Sequence, residues 1–242
     1  IGSGSSIAQK LRTTTINNFR LKDVQMGGQG APLVPVGDKL LFSDYDACLN
    51  LGGFANISYE RGKKRLAFDI CPLNMAFNHL TRSIDLEYDD GGKIAKSGDV
   101  DTPLLKRLNS LAFYAASRPK SLGKEWFVSK FNPLIEKARL SVPDKLATCT
   151  EHFAAQIAKV INESNQSNVL VTGGGAYNEY LIQSIEEKTT ATLIIPDPDI
   201  VEFKEAIIFA FLGVLRIRNE VNVLSSVTGS PKDHCAGIIH NP

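Results

Sequence analysis

The spacing of hydrophobic and polar positions predicts strands in the first third of the chain and helices after them. Apolar runs at residues 47–51, 55–59 and 66–69 are separated by short turns that contain glycine. This arrangement predicts an antiparallel meander of three strands. Over residues 72–164 the apolar positions recur with helical spacing instead, which predicts a helical insertion.

A second strand-forming part follows this insertion. Residues 168–172 are a continuous apolar run, and a triple glycine at 173–175, a helical pattern at 180–188 and an apolar run at 191–195 come next. We expect a parallel, right-handed strand–helix–strand unit here. A last long helix is predicted over residues 203–219. The pattern indicates an α/β fold with one mixed sheet flanked by helices.

Charge and composition exclude several functional classes. The chain has 27 basic and 26 acidic residues, and its densest basic cluster is the short stretch 61–65. A nucleic-acid or membrane partner is therefore not expected. Four cysteines lie far apart with no Cys-x-x-Cys pair, which is typical of reduced thiols in a cytoplasmic protein. The longest apolar stretch, 206–215, has about half the length that a bilayer requires.

Two glycine turns are the main candidates for phosphate binding. Gly52 and Gly53 lie inside a predicted hairpin beside Asn56 and Ser58, and residues 173–175 lie where a buried strand gives way to a helix. Backbone amides can approach a ligand there because no side chain intervenes. A tight turn without a ligand would explain the glycines equally well, since glycine-rich loops are weak signals.

Two carboxylates stand at the ends of predicted elements. Asp69 follows a strand and precedes a helix, so it could act as a general base, orient a metal-bound water, or cap the helix. Glu205 lies near the start of the last predicted helix, where the helix dipole alone would stabilise it by ~0.3–1 kcal/mol. Cys71 and His79 share one predicted helix without zinc-ligand spacing. Asp89 falls in a predicted solvated acidic turn.

A series of short motifs runs in order from one end of the chain to the other. The motifs occupy residues 27–35 (GGQGAPLVP), 50–58 (NLGGFANIS), 67–69 (AFD), 119–125 (PKSLGKE), 147–151 (ATCTE), 169–178 (VLVTGGGAYN), 205–210 (EAIIFA) and 226–229 (SVTG). Together they resemble the signatures of the anhydro-N-acetylmuramic acid kinase family, a branch of the actin-like ATPase and sugar-kinase superfamily.

The resemblance implies a two-lobed kinase with a ribonuclease H-like, actin/hexokinase-type lobe. Residues 1–45 would be the tail of the first, N-terminal lobe, and residues 46–242 would be the C-terminal nucleotide-binding lobe. The family's phosphate loop, Ser-Gly-Thr-Ser-x-Asp-Gly, does not occur in the sequence. We therefore expect the rest of the first lobe to be missing and residues 1–242 alone to bind ATP weakly. Family members are commonly homodimers.

The resemblance also implies roles for particular residues. ATP and Mg²⁺ would be the cofactors, with the metal ligands unknown, and an amino sugar would be the substrate. Asp69 would deprotonate a water that opens the 1,6-anhydro ring at C1 while O6 attacks the γ-phosphate, as part of peptidoglycan recycling. Arg20 and Glu205 would contact the sugar. The implied nucleotide-binding residues are Gly52, Gly53, Asn56, Gly173, Gly174, Gly175 and Asn178.

The chain departs from the family pattern around Asp69. The family reads Phe-Asp-Thr-Gly-Pro-Gly-Asn, whereas residues 68–74 read FDICPLN. This predicts a bulkier loop and leaves a different amino sugar as an alternative substrate. A non-catalytic nucleotide-binding module of the same fold is a second hypothesis. An actin-like assembly protein is a third, against which Arg20, Asp69 and Glu205 argue.

Overall fold

The structure, a computed structural model, describes residues 3–242. Its strands are β1 Thr15–Asn17, β2 Ala47–Leu51, β3 Phe54–Arg61, β4 Lys64–Pro72, β5 Asn168–Thr172, β6 Thr192–Ile194 and β7 Ile238–His240. Its α-helices are α1 Gly4–Leu11, α2 Leu21–Gln25, α3 Val34–Leu41, α4 Asn74–Arg82, α5 Lys93–Lys96, α6 Thr102–Asn109, α7 Ala112–Ala115, α8 Lys124–Trp126, α9 Asn132–Lys137, α10 Val142–Ser164, α11 Glu179–Glu186, α12 Pro198–Ile217 and α13 Ser225–Thr228. Short 3₁₀ or π turns occupy Asp90–Gly92, Phe127–Phe131 and Gly174–Tyr177.

Five strands form one mixed sheet in the order β4-β3-β2-β5-β6. The connections from β2 to β3 and from β3 to β4 have two residues each, and parallel strands would need a much longer crossover, so these pairs are antiparallel hairpins. β5 lies parallel to both β2 and β6, with Ala47 opposite Val169. The predicted mixed sheet is confirmed.

The chain divides into two compact units. Among the described residues, the first comprises 3–44, 58–67 and 203–242, and the second comprises 45–57 and 68–202. These boundaries differ from the predicted division into 1–45 and 46–242, because the tip of the β3–β4 hairpin and the C-terminal residues group with the first unit. The assignment of either unit to a lobe of a longer protein stays a prediction.

The first unit is built around the later part of α12. Ile208 and Leu212 of this helix are fully buried and pack in one core cluster with Phe19, Leu33 and Val223. Helix α3 approaches α12 closely, since a Cβ on Gly37 would lie 2.5 Å from the side chain of Ile208. β1 and β7 pair as a two-stranded antiparallel sheet in the same unit. These contacts explain why the C-terminal residues belong to this unit.

The second unit is organised by the 23-residue helix α10. The helix begins after Ser141, whose side chain accepts a hydrogen bond from the backbone N–H of Asp144, and ends at Asn165 in the left-handed conformation. Phe153 on its buried face contacts the rings of Phe77 and Phe131, at centroid distances of 5.3 and 5.6 Å. Helices predominate over residues 74–164, and their role as an insertion into a lobe stays a prediction.

Two local predictions are wrong. Cys71 lies at the end of β4, so it does not share a helix with His79. Asp89 is buried because its carboxylate accepts hydrogen bonds from the backbone N–H groups of Ile94 and Ala95, at 2.8 and 2.9 Å. Cys71, Cys149 and Cys235 form no disulfide among residues 3–242. Within residues 3–242, no helix combines the length and the apolar character that a membrane crossing requires.

Candidate active site

The two glycine turns meet at one edge of the sheet. Because β2 and β5 are parallel neighbours, the turns that follow them lie side by side at the carboxyl ends of the strands, where α/β folds bind ligands. A Cβ on Gly173 would lie 2.6 Å from Oδ1 of Asn50, and one on Gly175 would lie 2.9 Å from the carbonyl oxygen of Leu51. The structure therefore brings the predicted glycines 52–53 and 173–175 together.

Tight packing explains why Gly173 and Gly175 are glycines, but it does not explain Gly53 and Gly174. Gly173 has φ +83° and touches the neighbouring turn, and Gly175 is buried, so a turn without a ligand requires both. Gly53, in contrast, has no atom within 4 Å of a Cβ position, and Gly174 has only Nδ2 of Asn74 at 3.9 Å. Gly53 and Gly174 are thus the places where a ligand can approach the backbone.

Two asparagines complete this edge, and the sequence reasoning did not select them. Asn50 contacts Gly173 as described above, and Nδ2 of Asn74 donates to the carbonyl oxygen of Leu51 at 3.0 Å. The backbone N–H groups of Leu73 and Asn74 donate to the carbonyls of Gly53 and Gly52, at 2.9 and 3.3 Å. The start of α4 is therefore fixed on the first glycine turn. Asn50 lies inside a motif that carried the family resemblance, and Asn74 lies in segment 68–74, where it matches the last residue of the family pattern.

Other polar residues near the predicted phosphate site have structural partners. Asn178 caps α11 by accepting the N–H of Leu181 at 3.0 Å, and its side chain is buried. Asn56 is half-buried, with Nδ2 3.5 Å from the carbonyl oxygen of Phe54. The nucleotide contacts of both stay predictions. Ser58 belongs to the first unit, where its hydroxyl donates to Asp38, and its predicted place beside a phosphate stays a prediction.

Asp69 is held in β4 by a neighbouring backbone segment. Its Oδ2 accepts the N–H of Leu122 at 2.7 Å, and its own N–H donates to the carbonyl oxygen of Lys120 at 2.9 Å. The side chain stays half-buried. The alternative in which Asp69 caps a helix is wrong, because α4 begins at Asn74 and Leu73 occupies its N-cap position.

The surroundings of Asp69 favour proton uptake. Burial raises the pKa of Asp69 above its ordinary value, and the hydrogen bond from Leu122 opposes this only in part. The Lys120 ammonium does not neutralise the Asp69 carboxylate. It donates instead to the carbonyl oxygen of Phe113 at 2.8 Å and lies 4.2 Å from the centroid of the Phe113 ring. A carboxylate with a raised pKa that is still partly open to solvent is suited to general-base catalysis.

The residues that replace the family's glycines do not crowd this site. Ile70 and Cys71 continue strand β4, and Ile70, Cys71 and Leu73 are at most 2% exposed. The predicted bulkier loop is therefore wrong, because the additional side chains pack in the core. Burial also raises the pKa of the Cys71 thiol well above its ordinary value, so Cys71 is no candidate nucleophile.

Comparison with known proteins places this site in a family. A sequence profile described as anhydro-N-acetylmuramic acid kinase matches residues 1–242. The chain belongs to this family. Relatives that carry the same description occur in Gloeobacter violaceus, 34% identical over 99% of this chain and 68% of the relative, and in Hydrogenovibrio crunogenus, 32% identical over 100% and 69%. A third, in Francisella tularensis subsp. novicida, is 34% identical over 95% and 65%.

The chain spans about two thirds of the length of these anhydro-N-acetylmuramic acid kinases. Among solved structures, the activator of 2-hydroxyisocaproyl-CoA dehydratase from Clostridium difficile, with bound ADPNP, aligns with a TM-score of 0.47 and 15% identity. That alignment covers 77% of this chain and 67% of the activator. A likeness at this level carries no functional conclusion.

The two predicted sugar-side residues of this kinase family member lie in the first unit. Arg20 is exposed, and its Nη1 donates to the carbonyl oxygen of Gly30 at 2.7 Å. The N–H of Gly30 donates in turn to the buried carboxylate of Asp23. Glu205 is exposed on α12, which begins at Pro198, so it does not lie at the helix start and the helix dipole does not explain it. The sugar contacts of Arg20 and Glu205 stay predictions.

A metal site built from the usual side chains is not present in the part of the chain that the structure describes. No three His, Cys, Asp or Glu side chains among residues 3–242 are grouped closely enough to hold a metal ion. Magnesium in phosphoryl-transfer enzymes is bound through one or two carboxylates together with substrate phosphates and waters. A magnesium ion that arrives with ATP would therefore not require a group of three such side chains.

Proposed function

We propose that the chain forms most of an ATP-dependent kinase that opens the 1,6-anhydro ring of anhydro-N-acetylmuramic acid and phosphorylates O6, in peptidoglycan recycling. The observation that carries the proposal is Asp69, a half-buried carboxylate with a raised pKa, positioned by Leu122 in a chain that belongs to this kinase family. Both the base and the open glycine turns lie in the second unit.

In the proposed reaction Asp69 accepts a proton from water, and the water oxygen forms a bond to C1 of the sugar. The bond between C1 and O6 breaks, and O6 attacks the γ-phosphorus of ATP, so that ADP leaves. The hydrogen bond from Leu122 to Oδ2 fixes one carboxylate oxygen, which leaves the other free to take the proton. Positioning of this kind, together with general-base catalysis, lowers the barrier without a covalent intermediate.

ATP is proposed to approach the backbone at Gly53 and Gly174, where a Cβ position would meet open space or only a distant amide. Small backbone turns at strand ends commonly bind phosphates in this way. Mg²⁺ is proposed to arrive with the nucleotide phosphates and to shield their charge. We assign it no protein ligand and route no step through it, because the described residues form no metal-binding group.

One of the arguments for a non-catalytic nucleotide-binding module no longer holds. It rested partly on the change to Ile70 and Cys71, and both side chains are buried in the core rather than placed in the site. A kinase for a different amino sugar remains a second candidate, because the selectivity of Arg20 and Glu205 is untested. We further propose that the protein is a cytoplasmic homodimer. Light scattering of the purified protein measures its mass in solution and so tests the dimer.

The test is phosphate transfer from ATP to a panel of anhydro and ordinary amino sugars, catalysed by the complete gene product. We expect turnover with 1,6-anhydro-N-acetylmuramic acid that is lost in Asp69→Asn and kept in Glu87→Gln, an exposed carboxylate of the same unit. Turnover with another amino sugar alone would correct the substrate. No turnover on any sugar, with ATP still bound, would support the non-catalytic module.

A further inference from the structure

A cavity in the first unit is not used by the proposed reaction. It has a volume of about 430 Å³ and lies among the β3–β4 hairpin, α3 and the segment that contains α13. This volume accommodates a small phosphorylated metabolite. The residues of its lining that matter here are Lys39, Lys63, Lys64, Arg65, Ser226 and Asp233.

Arg65 gives the cavity a fixed cationic wall. Its side chain is 4% exposed, and Nη2 donates to Oγ of Ser58 at 2.9 Å. Ser58 is fixed in turn, because its hydroxyl donates to Asp38 at 2.5 Å. Nε of Arg65 is buried and has no hydrogen-bond partner among residues 3–242. This Nε is not accessible from the cavity, so the contribution of Arg65 to the cavity is a fixed, little-screened positive charge in its wall.

The charges around the cavity do not balance. Glu60 lies 3.5 Å from Lys39 and 3.9 Å from Arg65 and is shared between them. Asp233 is already occupied, since it accepts the N–H and the hydroxyl of Ser225 at 2.7 Å each. Lys63 and Lys64 are exposed and form no salt bridge in the part of the chain that the structure describes. Four cations against two carboxylates leave an excess of two positive charges.

We propose that this cavity is a binding site for a phosphate dianion, either free or as the ester of a small molecule. A phosphomonoester carries a charge of about −1.5 to −2 at pH 7, which matches the excess. Arg65 would supply a fixed positive charge, and Lys63 and Lys64 would supply mobile charges at the rim. The site shares no lining residue with the glycine turns, because its lining residues all belong to the first unit.

Calorimetry at low ionic strength tests the proposal, with inorganic phosphate, glucose 6-phosphate and glucose as probes for the complete gene product. We expect both phosphate probes to bind and glucose not to bind. The double variant Lys63→Gln/Lys64→Gln should weaken phosphate binding by about tenfold, since each exposed ion pair contributes roughly a factor of three and the variant removes two. Both lysines are exposed, so the fold should persist.

The matched control is Lys106→Gln/Lys130→Gln, which removes two exposed lysines from the second unit and changes the net charge equally. It should weaken binding by less than about threefold, because exposed charges at a distance are screened. Equal affinities for the two phosphate probes would assign the site to the phosphate group alone, and tighter binding of the ester would assign it to a metabolite. No binding of either probe, or an equal loss in the control, would overturn the proposal.

Discussion

Replacing Asp69 by asparagine separates its proposed catalytic role from its structural one. Asparagine has the same shape, and its amide oxygen can still accept the N–H of Leu122, which donates to Asp69 at 2.7 Å. It cannot take up a proton from water. The substitution therefore removes the proposed base and keeps the contact that holds the residue in β4.

The expected loss of turnover follows from the general-base role. Such a base contributes a factor of about 10²–10⁴, which corresponds to ~2.7–5.5 kcal/mol in the activation free energy. ATP affinity should change little, because the proposed nucleotide contacts are made by the backbone at Gly53 and Gly174.

Although turnover should fall in Asp69→Asn, the thermal stability of this variant should not fall. Burial raises the pKa of Asp69 in the folded state, so between the unfolded and the folded pKa the folded chain binds more protons. The free energy of unfolding therefore falls as the pH rises through this interval. At pH 7 the buried charge destabilises the fold, and Asp69→Asn should keep or raise the thermal midpoint. This gain should vanish at a pH below the unfolded pKa.

The assay compares kcat, ATP affinity by calorimetry and the thermal midpoint at acidic and neutral pH, with Glu87→Gln as the control. Turnover close to wild type in Asp69→Asn would refute the reasoning about the base. A large fall of the midpoint at pH 7 would refute the reasoning about the environment.

Three further predictions concern the same unit. Leu122→Pro removes the N–H that opposes the pKa increase of Asp69, so the acidic limb of the kcat/KM profile should move to higher pH, whereas Leu122→Ala keeps this donor and should leave the limb in place. Gly173→Ala should lower the free energy of unfolding by at least ~1–2 kcal/mol in chemical denaturation, because the residue has φ +83°; Gly53→Ala, with open space around its Cβ position, should leave stability within ~0.5 kcal/mol and weaken ATP binding. Burial lowers the pKa of His152 from 6.5 to about 3, so the unfolded chain binds an extra proton below pH 6.5. The free energy of unfolding should therefore fall by up to ~1.4 kcal/mol per pH unit on acidification, and His152→Gln should reduce this slope in denaturation experiments across the same pH range.

Local sequence patterns were sufficient for most of the elements. The meander over 46–69 and the strand–helix–strand unit over 168–195 follow from periodicity and from glycine turns, and such signals depend on neighbouring residues only. The two glycine turns meet because β2 and β5 are adjacent parallel strands, whose carboxyl ends lie at the same edge of the sheet.

Long-range contacts account for what the sequence did not predict. The pairing of β1 with β7 joins Thr15 to His240, two short segments that carry no local signal of partnership. Strand β4 extends beyond Asp69 to Pro72 because its last residues are buried. Asp89 is buried because it accepts two backbone hydrogen bonds, although its composition is typical of a solvated turn.

Contacts between residues distant in sequence also determine the candidate site, and local patterns did not predict them. Asp69 was selected by its position at a strand end and by the family resemblance, but its contact with Leu122 joins positions that are distant along the chain. Asn50 and Asn74 were not selected because asparagine is common in ordinary turns and neither position carries a further local signal. Their role became visible only when the two turns were seen to touch.

The most direct test of the proposed kinase is an oxygen-labelling experiment. The complete gene product is incubated with ATP and 1,6-anhydro-N-acetylmuramic acid in H₂¹⁸O, and the products are analysed by mass spectrometry. The account predicts a sugar phosphate that carries one labelled oxygen at C1 and none in its phosphate group. Label in inorganic phosphate without a phosphorylated sugar, or a phosphorylated sugar without label at C1, would contradict it.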